Sequence, residues 1–335
     1  MTKHPRYHFS RWFSLASVLM LLTPAALCAF TQPSLSISSG NQTGAAYAVA
    51  NAITKIFNRK CGEYGMRLAA VPSQGSVADI DSVLEGTAAF GIAQSAILQQ
   101  AALALGPWQG KGGKGGKGGK ELRAVLSLHA ESLTVVAAQD RSIRKLADLK
   151  GKRVNIGEPG SGDYQYASVL MELAGFAPSD LTLTTYPVSL ASEALQKNEI
   201  DAYLYLVGHP NLSVLEASSG ERKVSLLPMG APLIAKLAAR APLFDPERIP
   251  TTFYPGLVEN GEITTVGLRA ILFTRADTDE DTVYRLVKEV LANFALFQRQ
   301  HPVLDGLTPR AVTEVTVLPL HPGAARYFRE AGLGG

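Results

Sequence analysis

Short apolar runs alternate along the chain with stretches in which apolar side chains recur every three or four positions. The helical spacing is clearest over 45–57 and 280–297, where it predicts one apolar stripe along each helix. Because strand, loop and helix follow one another repeatedly, the pattern predicts an α/β fold with a parallel sheet covered by helices on both faces. The runs that predict strands are 35–37, 67–71, 89–93, 122–128, 133–138, 182–186, 202–206 and 265–274.

The first 29 residues have the three-part pattern of a secretory signal peptide. Basic residues up to Arg11 begin it, an apolar run follows over 12–22, and small residues lead to Ala29. The apolar run is shorter than a membrane-spanning helix requires. We therefore predict cleavage after Ala29 and a periplasmic location, with an uncleaved anchor as the alternative.

Removal of this leader changes the charge balance of the chain. The whole sequence carries 32 Lys and Arg against 29 Asp and Glu, a formal net charge of +3, and the leader holds three basic residues and no acidic one. The remaining chain is therefore close to neutral and has no basic stripe, which argues against a nucleic-acid partner. Its 46% apolar and 18% charged residues are typical of a globular protein.

The chain divides into two α/β units and a closing segment. We predict a first lobe over 30–130, a second over 131–230, and a segment over 231–335 that returns mostly to the first lobe. Within the first lobe, 110–120 is rich in Lys and Gly and cannot bury a core. We predict a flexible surface insertion there, with polyanion binding as the alternative.

Two Gly/Ser/Thr-rich loops, over 38–44 and 157–162, carry the strongest functional signal. The first follows the strand predicted over 35–37, the second follows a short strand predicted after a turn at Gly151, and each opens onto a predicted helix. Such a loop offers small hydroxyls, free backbone N–H groups and the positive end of a helix dipole, a combination that binds carboxylates or phosphates. Because ligands bind at the carboxyl ends of strands in open α/β sheets, the loops predict a clamp that closes on a small anionic molecule.

The candidate ligand-binding residues lie in these loops and at similar junctions between strands and helices. Hydroxyls and backbone amides can donate to a carboxylate, and Asp163 can accept from a ligand ammonium. An ordinary helix cap, a packed tyrosine, a loop amide or a tight turn is the alternative at individual positions. The candidates are Asn41, Thr43, Gly44, Ala45, Tyr47, Gly75, Ser76, Gln94, Ser95, Gly160, Ser161, Gly162, Asp163 and Gly208.

Catalysis finds little support in the sequence. The histidines beyond the predicted leader are scattered and none of them pairs at metal-ligand spacing. The Gly-Ser-Gly at 160–162 is not a nucleophile elbow, and Gln165 stands where a dinucleotide-binding loop has its third glycine. We therefore predict no catalytic residue, no metal and no cofactor.

Segments spread over nearly the whole chain beyond the leader carry a further signal. They are 41–47, 74–79, 90–95, 146–154, 157–162, 254–256 and 319–327. These segments resemble the TAXI family, the extracytoplasmic solute receptors of tripartite (TRAP) transporters. Ala45, Asp79, Ala96 and Asp163 depart from the resemblance, since that family usually has Gly, Asn, Asp and Thr at these positions.

The resemblance implies a type II periplasmic binding fold, in which a hinge joins two α/β lobes around a central ligand cleft. It implies a receptor that captures a small carboxylate-bearing solute, an amino acid, dicarboxylate or keto acid, and delivers it to a TRAP-type membrane permease. We expect an anionic or zwitterionic solute and a monomeric protein. Because an added carboxylate at the cleft would repel a diacid unless an amine offsets it, no single solute is named. A periplasmic ligand-sensing domain and a small-acid enzyme of the same fold are the alternatives.

Overall fold

The computed structural model describes residues 34–110, 118–241, 243–257 and 261–334, so the predicted leader and residues 111–117 of the predicted insertion lie outside it. No helix in these ranges is long and apolar enough to cross a membrane. The strands are β1 Ser34–Ser38, β2 Arg67–Val71, β3 Phe90–Gln94, β4 Leu122–Ala138, β5 Arg153–Asn155, β6 Thr182–Thr184, β7 Ala202–Val207, β8 Val224–Leu226, β9 Asp245–Pro250 and β10 Glu262–Arg275. The helices are α1 Ala45–Phe57, α2 Cys61–Tyr64, α3 Ser76–Leu84, α4 Ser95–Ala102, α5 Gly162–Leu173, α6 Val188–Gln196, α7 Leu212–Ser219, α8 Ala231–Arg240, α9 Glu280–Ala292, α10 Phe294–Gln298 and α11 Pro322–Glu330.

The strands of the described ranges form one mixed sheet. Neighbouring strands in the sheet follow the order β2-β1-β3-β10-β4-β7-β5-β6. In addition, β8 pairs with β4 and β9 pairs with β10. The pairs among β1, β2 and β3 and among β5, β6 and β7 are parallel, as the alternating pattern predicts. The sheet is not parallel throughout, however, because β10 runs antiparallel to β3 and β4, and β4 runs antiparallel to β7.

Strand β4 is continuous over 17 residues, although its sequence predicts two separate strands. The polar side chains of His129, Glu131 and Ser132 interrupt the apolar pattern. The backbone remains extended because β10 pairs with β4 through this polar stretch as far as Ser132, and β7 pairs with β4 from Ser132 onward. Strands β4 and β10 therefore run through both halves of the sheet and form the hinge of a two-lobe α/β fold.

The helices pack on the sheet in three apolar clusters. One contains α1, α9 and α11 with β1–β3, a second contains α3, α4, α5 and α8, and a third contains α6 and α7 with β7. Helix α8 contacts α5, and the ring of Phe244 lies edge-on to Tyr166 with centroids 5.1 Å apart. Because α8 and Phe244 thus lie with the second half, we propose that the return to the first lobe begins within β10 rather than at residue 231.

The helix predicted over 280–297 is broken near its end. Helix α9 ends at Ala292 and α10 begins at Phe294. Between them, Asn293 has φ −113° and its side-chain nitrogen donates to the carbonyl of Glu289 at 2.9 Å. This side-chain hydrogen bond competes with the backbone hydrogen bonds of the helix. The spacing of apolar residues does not reveal such a bond, so the sequence pattern does not predict the break.

Candidate functional site

A cavity of about 60 Å³ lies between the two halves of the protein, at the carboxyl ends of β3 and β7. Open α/β sheets bind their ligands at this edge. Both halves contribute to its lining, the first through the start of α3 and the second through the start of α5. Since one water molecule needs roughly 10–15 Å³ by this measure, the cavity has room for a small chemical group.

Several helices begin at the wall of this cavity. Gly44 and Ala45 at α1, Gly75 and Ser76 at α3, and Val188 at α6 contribute to the lining. Neither α1 nor α3 has a side-chain N-cap, so first-turn N–H groups at both helices lack a capping side chain, although the N–H of Ala78 in α3 has a backbone partner. Two positive helix ends are thereby directed at one small space.

Backbone groups of the two lobes meet beside the cavity. The N–H of Ala78 in α3 donates to the carbonyl of Gly160 at 3.3 Å. A Cβ atom at Gly75 would lie only 3.2 Å from Cα of Ser161. The lobes are thus closed on each other, and larger side chains at Gly75 would push them apart.

Two asparagine side chains join the lobes at a second place. Asn41 Nδ2 donates to Ser189 Oγ at 3.3 Å, and Asn211 Nδ2 donates to the carbonyl of Thr43 at 3.2 Å. Both bonds connect the loop before α1 with the start of a helix in the second half. The loop that the sequence singled out therefore takes part in lobe closure.

Carboxyl groups dominate the lining of the cavity. Asp79, Glu131, Glu158 and Asp163 all contribute to it, whereas no Lys, Arg or His of the described residues does. Asp79 is 1% exposed and Glu131 is 6% exposed. Within the described ranges, these groups are not arranged so that three of them could hold a metal ion.

Asp79 is held by the first glycine-rich loop. The hydroxyl of Ser38 donates to Asp79 Oδ1, and the N–H of Gly40 lies 3.4 Å from the same oxygen. Burial raises the pKa of Asp79 to about 7, although hydrogen bonds from Ser38, Ser73 and Gly40 act in the opposite direction. Among described atoms, Asp79 Oδ2 has no hydrogen-bond partner.

Asp163 occupies the matching position in the second lobe, in the first turn of α5. Its Oδ1 accepts from the backbone N–H of Leu206 at 2.6 Å. Burial raises the pKa of Asp163 to about 8, and the charges of Glu131 and Glu158 add to this effect. Near neutral pH this carboxyl therefore retains a proton unless a cation lies beside it.

Gln94 links the end of β3 to the hinge. Its Nε2 donates to Glu131 Oε2 at 3.0 Å and lies 3.4 Å from the carbonyl oxygen of Leu206. Both neighbours are acceptors, which assigns the nitrogen end of the amide. The other end, Oε1, is buried and has no partner among the described residues.

The structure brings most of the predicted site residues to one cavity, although ligand contact itself stays a prediction. Those in its lining are Asn41, Gly44, Ala45, Gly75, Ser76, Gln94, Ser161, Gly162 and Asp163. The candidates outside its lining are Thr43, Tyr47, Ser95, Gly160 and Gly208.

Three of the candidates outside the lining have contacts within the protein. The N–H and hydroxyl of Thr43 both donate to Asn41 Oδ1 at 3.1 Å. The carbonyl of Gly160 serves lobe closure, as described above. A Cβ at Gly208 would lie 2.7 Å from Cδ2 of His129, so this glycine allows close packing of the chain.

Tyr47 and Ser95 lie outside the cavity lining because of their positions in helices α1 and α4. Tyr47 lies in the first turn of α1 and is half-buried, and Ser95 is the buried first residue of α4. Being close in sequence to a helix start does not place a side chain in the cavity, because successive residues point about 100° apart around the helix.

Sequence reasoning missed Glu131 and Tyr205 as site residues. Tyr205 lies inside the strand predicted over 202–206, and Glu131 lies in the gap between the two strands predicted for β4. A carboxylate within a long strand is costly to bury, and that signal could have drawn attention to Glu131. Tyr205 Oη would lie 3.5 Å from a Cβ at Gly44, which places this hydroxyl at the start of α1.

The fold resembles solved structures at low sequence identity. MatC from Rhodopseudomonas palustris, solved with bound malate, gives a TM-score of 0.55 at 16% identity over 90% of this chain and 97% of that chain. The periplasmic binding protein BugD gives 0.53 at 14% identity over 90% and 98%. A protein of Bordetella bronchiseptica RB50 gives 0.51 at 15% identity over 90% and 99%. The architecture is therefore that of periplasmic binding proteins.

A family comparison covers the same part of the chain. Residues 37–332 match the NMT1-like family, from within β1 to just beyond α11. The matched range contains every residue of the cavity lining. The chain therefore belongs to the NMT1-like family.

Proposed function

We propose that this protein is a periplasmic receptor that captures a small carboxylate-bearing solute between its lobes. The observation that carries the proposal is the cavity between the lobes, at which the uncapped N-termini of α1 and α3 face the start of α5. Backbone N–H groups at such helix ends donate to a carboxylate without help from a basic side chain. No catalytic step is part of this proposal.

Lobe closure follows from contacts that the solute makes on both sides. A carboxylate that accepts from α1 and α3 while its other end touches α5 stabilises the closed form, because only differential affinity shifts such an equilibrium. Each charge-assisted hydrogen bond contributes about 1.5–3 kcal/mol. A solute that touches one lobe alone does not favour closure.

Delivery to a membrane partner completes the proposed role. The signal-peptide pattern of residues 1–29 supports export, and the resemblance to TAXI receptors supports a TRAP-type permease as the partner. We propose that the closed, monomeric receptor is the form that this permease recognises. Uptake of the solute by permease-containing vesicles should require added receptor, and uptake that is equal without it would refute this step.

A ligand screen tests the receptor proposal directly. Protein lacking residues 1–29 is mixed with amino acids, dicarboxylates and keto acids, and the melting temperature is measured for each. A true ligand raises the melting temperature, because at a hundredfold excess over Kd it adds about 2.7 kcal/mol to the free energy of unfolding. Small-angle scattering of the same mixture should show a reduced radius of gyration.

Ser161 provides the matched variants. Ser161→Phe fills the closure contact with Gly75 and should abolish the ligand-induced shift while the circular dichroism spectrum stays unchanged. Ser179→Phe places the same ring at an exposed turn and should retain the shift. An unaltered shift in Ser161→Phe, or no stabilisation by any solute, would contradict the proposal.

A further inference from the structure

The cavity between the lobes offers far more acceptors than donors from side chains. Asp79, Glu131, Glu158 and Asp163 supply carboxyl oxygens to it, and no lining Lys, Arg or His of the described residues balances them. A ligand with two carboxylates would bring further negative charge to these groups. Like charges at short range in a buried site are strongly unfavourable.

Two buried acceptors at this site have no partner among the described residues. They are Asp79 Oδ2 and Gln94 Oε1, and their side chains are at least nine-tenths buried and line the cavity. An unpaired buried polar atom costs free energy, so such atoms are usually satisfied by a ligand, ion or water. Gln94 Oε1 can only accept, and Asp79 Oδ2 accepts when the carboxyl is ionised, so the missing partner is a hydrogen-bond donor.

Some of the backbone N–H donors near the cavity are already hydrogen bonded within the protein. The N–H of Gly40, in the first glycine-rich loop, lies against Asp79, and the N–H of Leu206 donates to Asp163. One loop N–H and one N–H of strand β7 therefore serve the protein's own carboxyl groups. The donors left for a ligand are those at the N-termini of α1 and α3, which are sufficient for one carboxylate. The other lining groups that a ligand can contact are mainly acceptors.

We propose that the solute of the receptor function proposed above enters this cavity with a protonated nitrogen. The ammonium or guanidinium group lies against Glu131 and Asp163, with Asp79 and Gln94 as further acceptors. The ligand class is a small amine of zero or positive net charge, such as a neutral or basic amino acid. Dicarboxylates and acidic amino acids are disfavoured because their second carboxylate would face these acidic groups, and keto acids because they carry no donor for the unpaired acceptors.

Proton exchange is the expected signature of such binding. Burial raises the pKa values of Asp79 and Asp163 towards neutrality, so a bound cation makes these carboxyls release protons to the buffer. The other titratable groups facing them are Glu131, Glu158 and Tyr205, and His129 Nε2 lies 3.3 Å from Glu131 Oε1. Binding should therefore tighten as the pH rises from 6 to 8.

The decisive experiment compares small ligands with and without a protonated nitrogen, in pairs of matched carbon skeleton where such pairs exist. L-Alanine and pyruvate share a carbon skeleton, as do L-glutamine and L-glutamate, and L-arginine and succinate extend the series in both directions. Calorimetric titration in two buffers of different ionisation enthalpy gives the affinity and the number of protons released. We expect binding within the nitrogen-bearing, non-anionic set, with proton release, and none of pyruvate, succinate or L-glutamate.

Matched variants test whether the carboxyl groups of Asp163 and Glu131 are required for amine binding. Asp163→Asn and Glu131→Gln keep size and hydrogen-bonding capacity and should weaken amine binding roughly ten- to hundredfold each. Glu247→Gln removes a carboxyl that lines a different cavity and should leave the affinity unchanged. Circular dichroism melting of each variant shows that the protein is folded.

The outcomes separate this inference from the receptor function. Binding of a nitrogen-free acid, or full amine affinity in both Asp163→Asn and Glu131→Gln, overturns the protonated-nitrogen inference and leaves the receptor intact. Stabilisation by no solute of either set overturns the receptor proposal and this inference together. Amine binding that is lost in the two variants and retained in Glu247→Gln supports both.

Discussion

Gln94 and Glu131 are hydrogen bonded across the hinge, with Gln94 Nε2 donating to Glu131 Oε2 at 3.0 Å. Gln94 ends β3, Glu131 lies in the middle of β4, and β10 runs between these two strands. The bond therefore reaches over a strand that both lobes share. It places the acceptor end of Gln94 and the carboxyl of Glu131 in the same cavity, so that hinge and site are built from the same residues.

The stability of the protein alone should fall as the pH rises from 7 to about 8.5. The pKa values of Asp79 and Asp163 are raised to about 7 and about 8 by burial, so the folded state binds protons that the unfolded state has lost. Stability from a raised pKa is present at low pH and is lost as the pH passes the folded value. A melting-temperature decrease on the order of 5 °C is expected by differential scanning fluorimetry.

The pH window and a double variant isolate this effect. Burial lowers the pKa of His209 to about 3 and also lowers those of His301 and His321, which favours the opposite trend below pH 6.5. Above pH 7 these imidazoles are neutral in both states. Asp79→Asn combined with Asp163→Asn should flatten the curve between pH 7 and 8.5, and an unchanged slope would refute the assignment.

Gly162 should limit how closely the lobes approach. A Cβ at this position would overlap the side-chain amide of Gln94. Gly162→Ala should therefore weaken ligand binding by about tenfold or more, because overpacking of a closed contact typically costs 1–3 kcal/mol. Calorimetric titration with a solute identified by the screen measures this loss.

Gly62 supplies the control for that substitution. Apart from its chain neighbours and the backbone of its own helix, nothing lies within 4 Å of a Cβ at Gly62, and this glycine is outside the cavity lining. Gly62→Ala should leave the affinity unchanged. Equal affinities of the two alanine variants would show that the contact between Gly162 and Gln94 does not restrict closure.

Asp201, at the start of β7, should stabilise the second lobe through its arginine partners. Although burial acts in the opposite direction, hydrogen bonds from the side chain and backbone of Arg153 lower the pKa of Asp201 to about 2. Stability from a lowered pKa is present above the unfolded value and is lost as the pH falls from about 4 to 2. Asp201→Asn should reduce the free energy of unfolding by about 2 kcal/mol at neutral pH, measured by urea denaturation.

An exposed ion pair gives the comparison for Asp201. Arg248 Nη1 lies 2.9 Å from Glu262 Oε2, and both side chains are at least half exposed. Exposed pairs typically contribute less than about 1 kcal/mol, so Glu262→Gln should change the unfolding free energy by a smaller amount. A loss equal to that of Asp201→Asn would contradict the role of burial in this network.

Local patterns predict the elements that depend on local interactions. The helix over 45–57 and the strand over 67–71 agree with the structure in both bounds, because apolar periodicity reports directly which face is buried. The break at Asn293 and the continuity of β4 could not be predicted in this way. The first depends on one side-chain hydrogen bond, and the second on the pairing of β10, a strand more than 120 residues away in sequence.

The chain's own sequence determined the α/β alternation, the glycine-rich loops at strand ends and the helices that follow them, since these depend on spacing and capping within a few residues. Only the tertiary structure decided the chemistry of the cavity. Asp79, Glu131 and Asp163 lie on separate elements, and the sheet and its shared hinge strands bring them together. The sequence predicts a site for anions, whereas the cavity contains several carboxyl groups that accept hydrogen bonds. The difference arises because the charge of a buried site depends on residues that are neighbours in space and not in sequence.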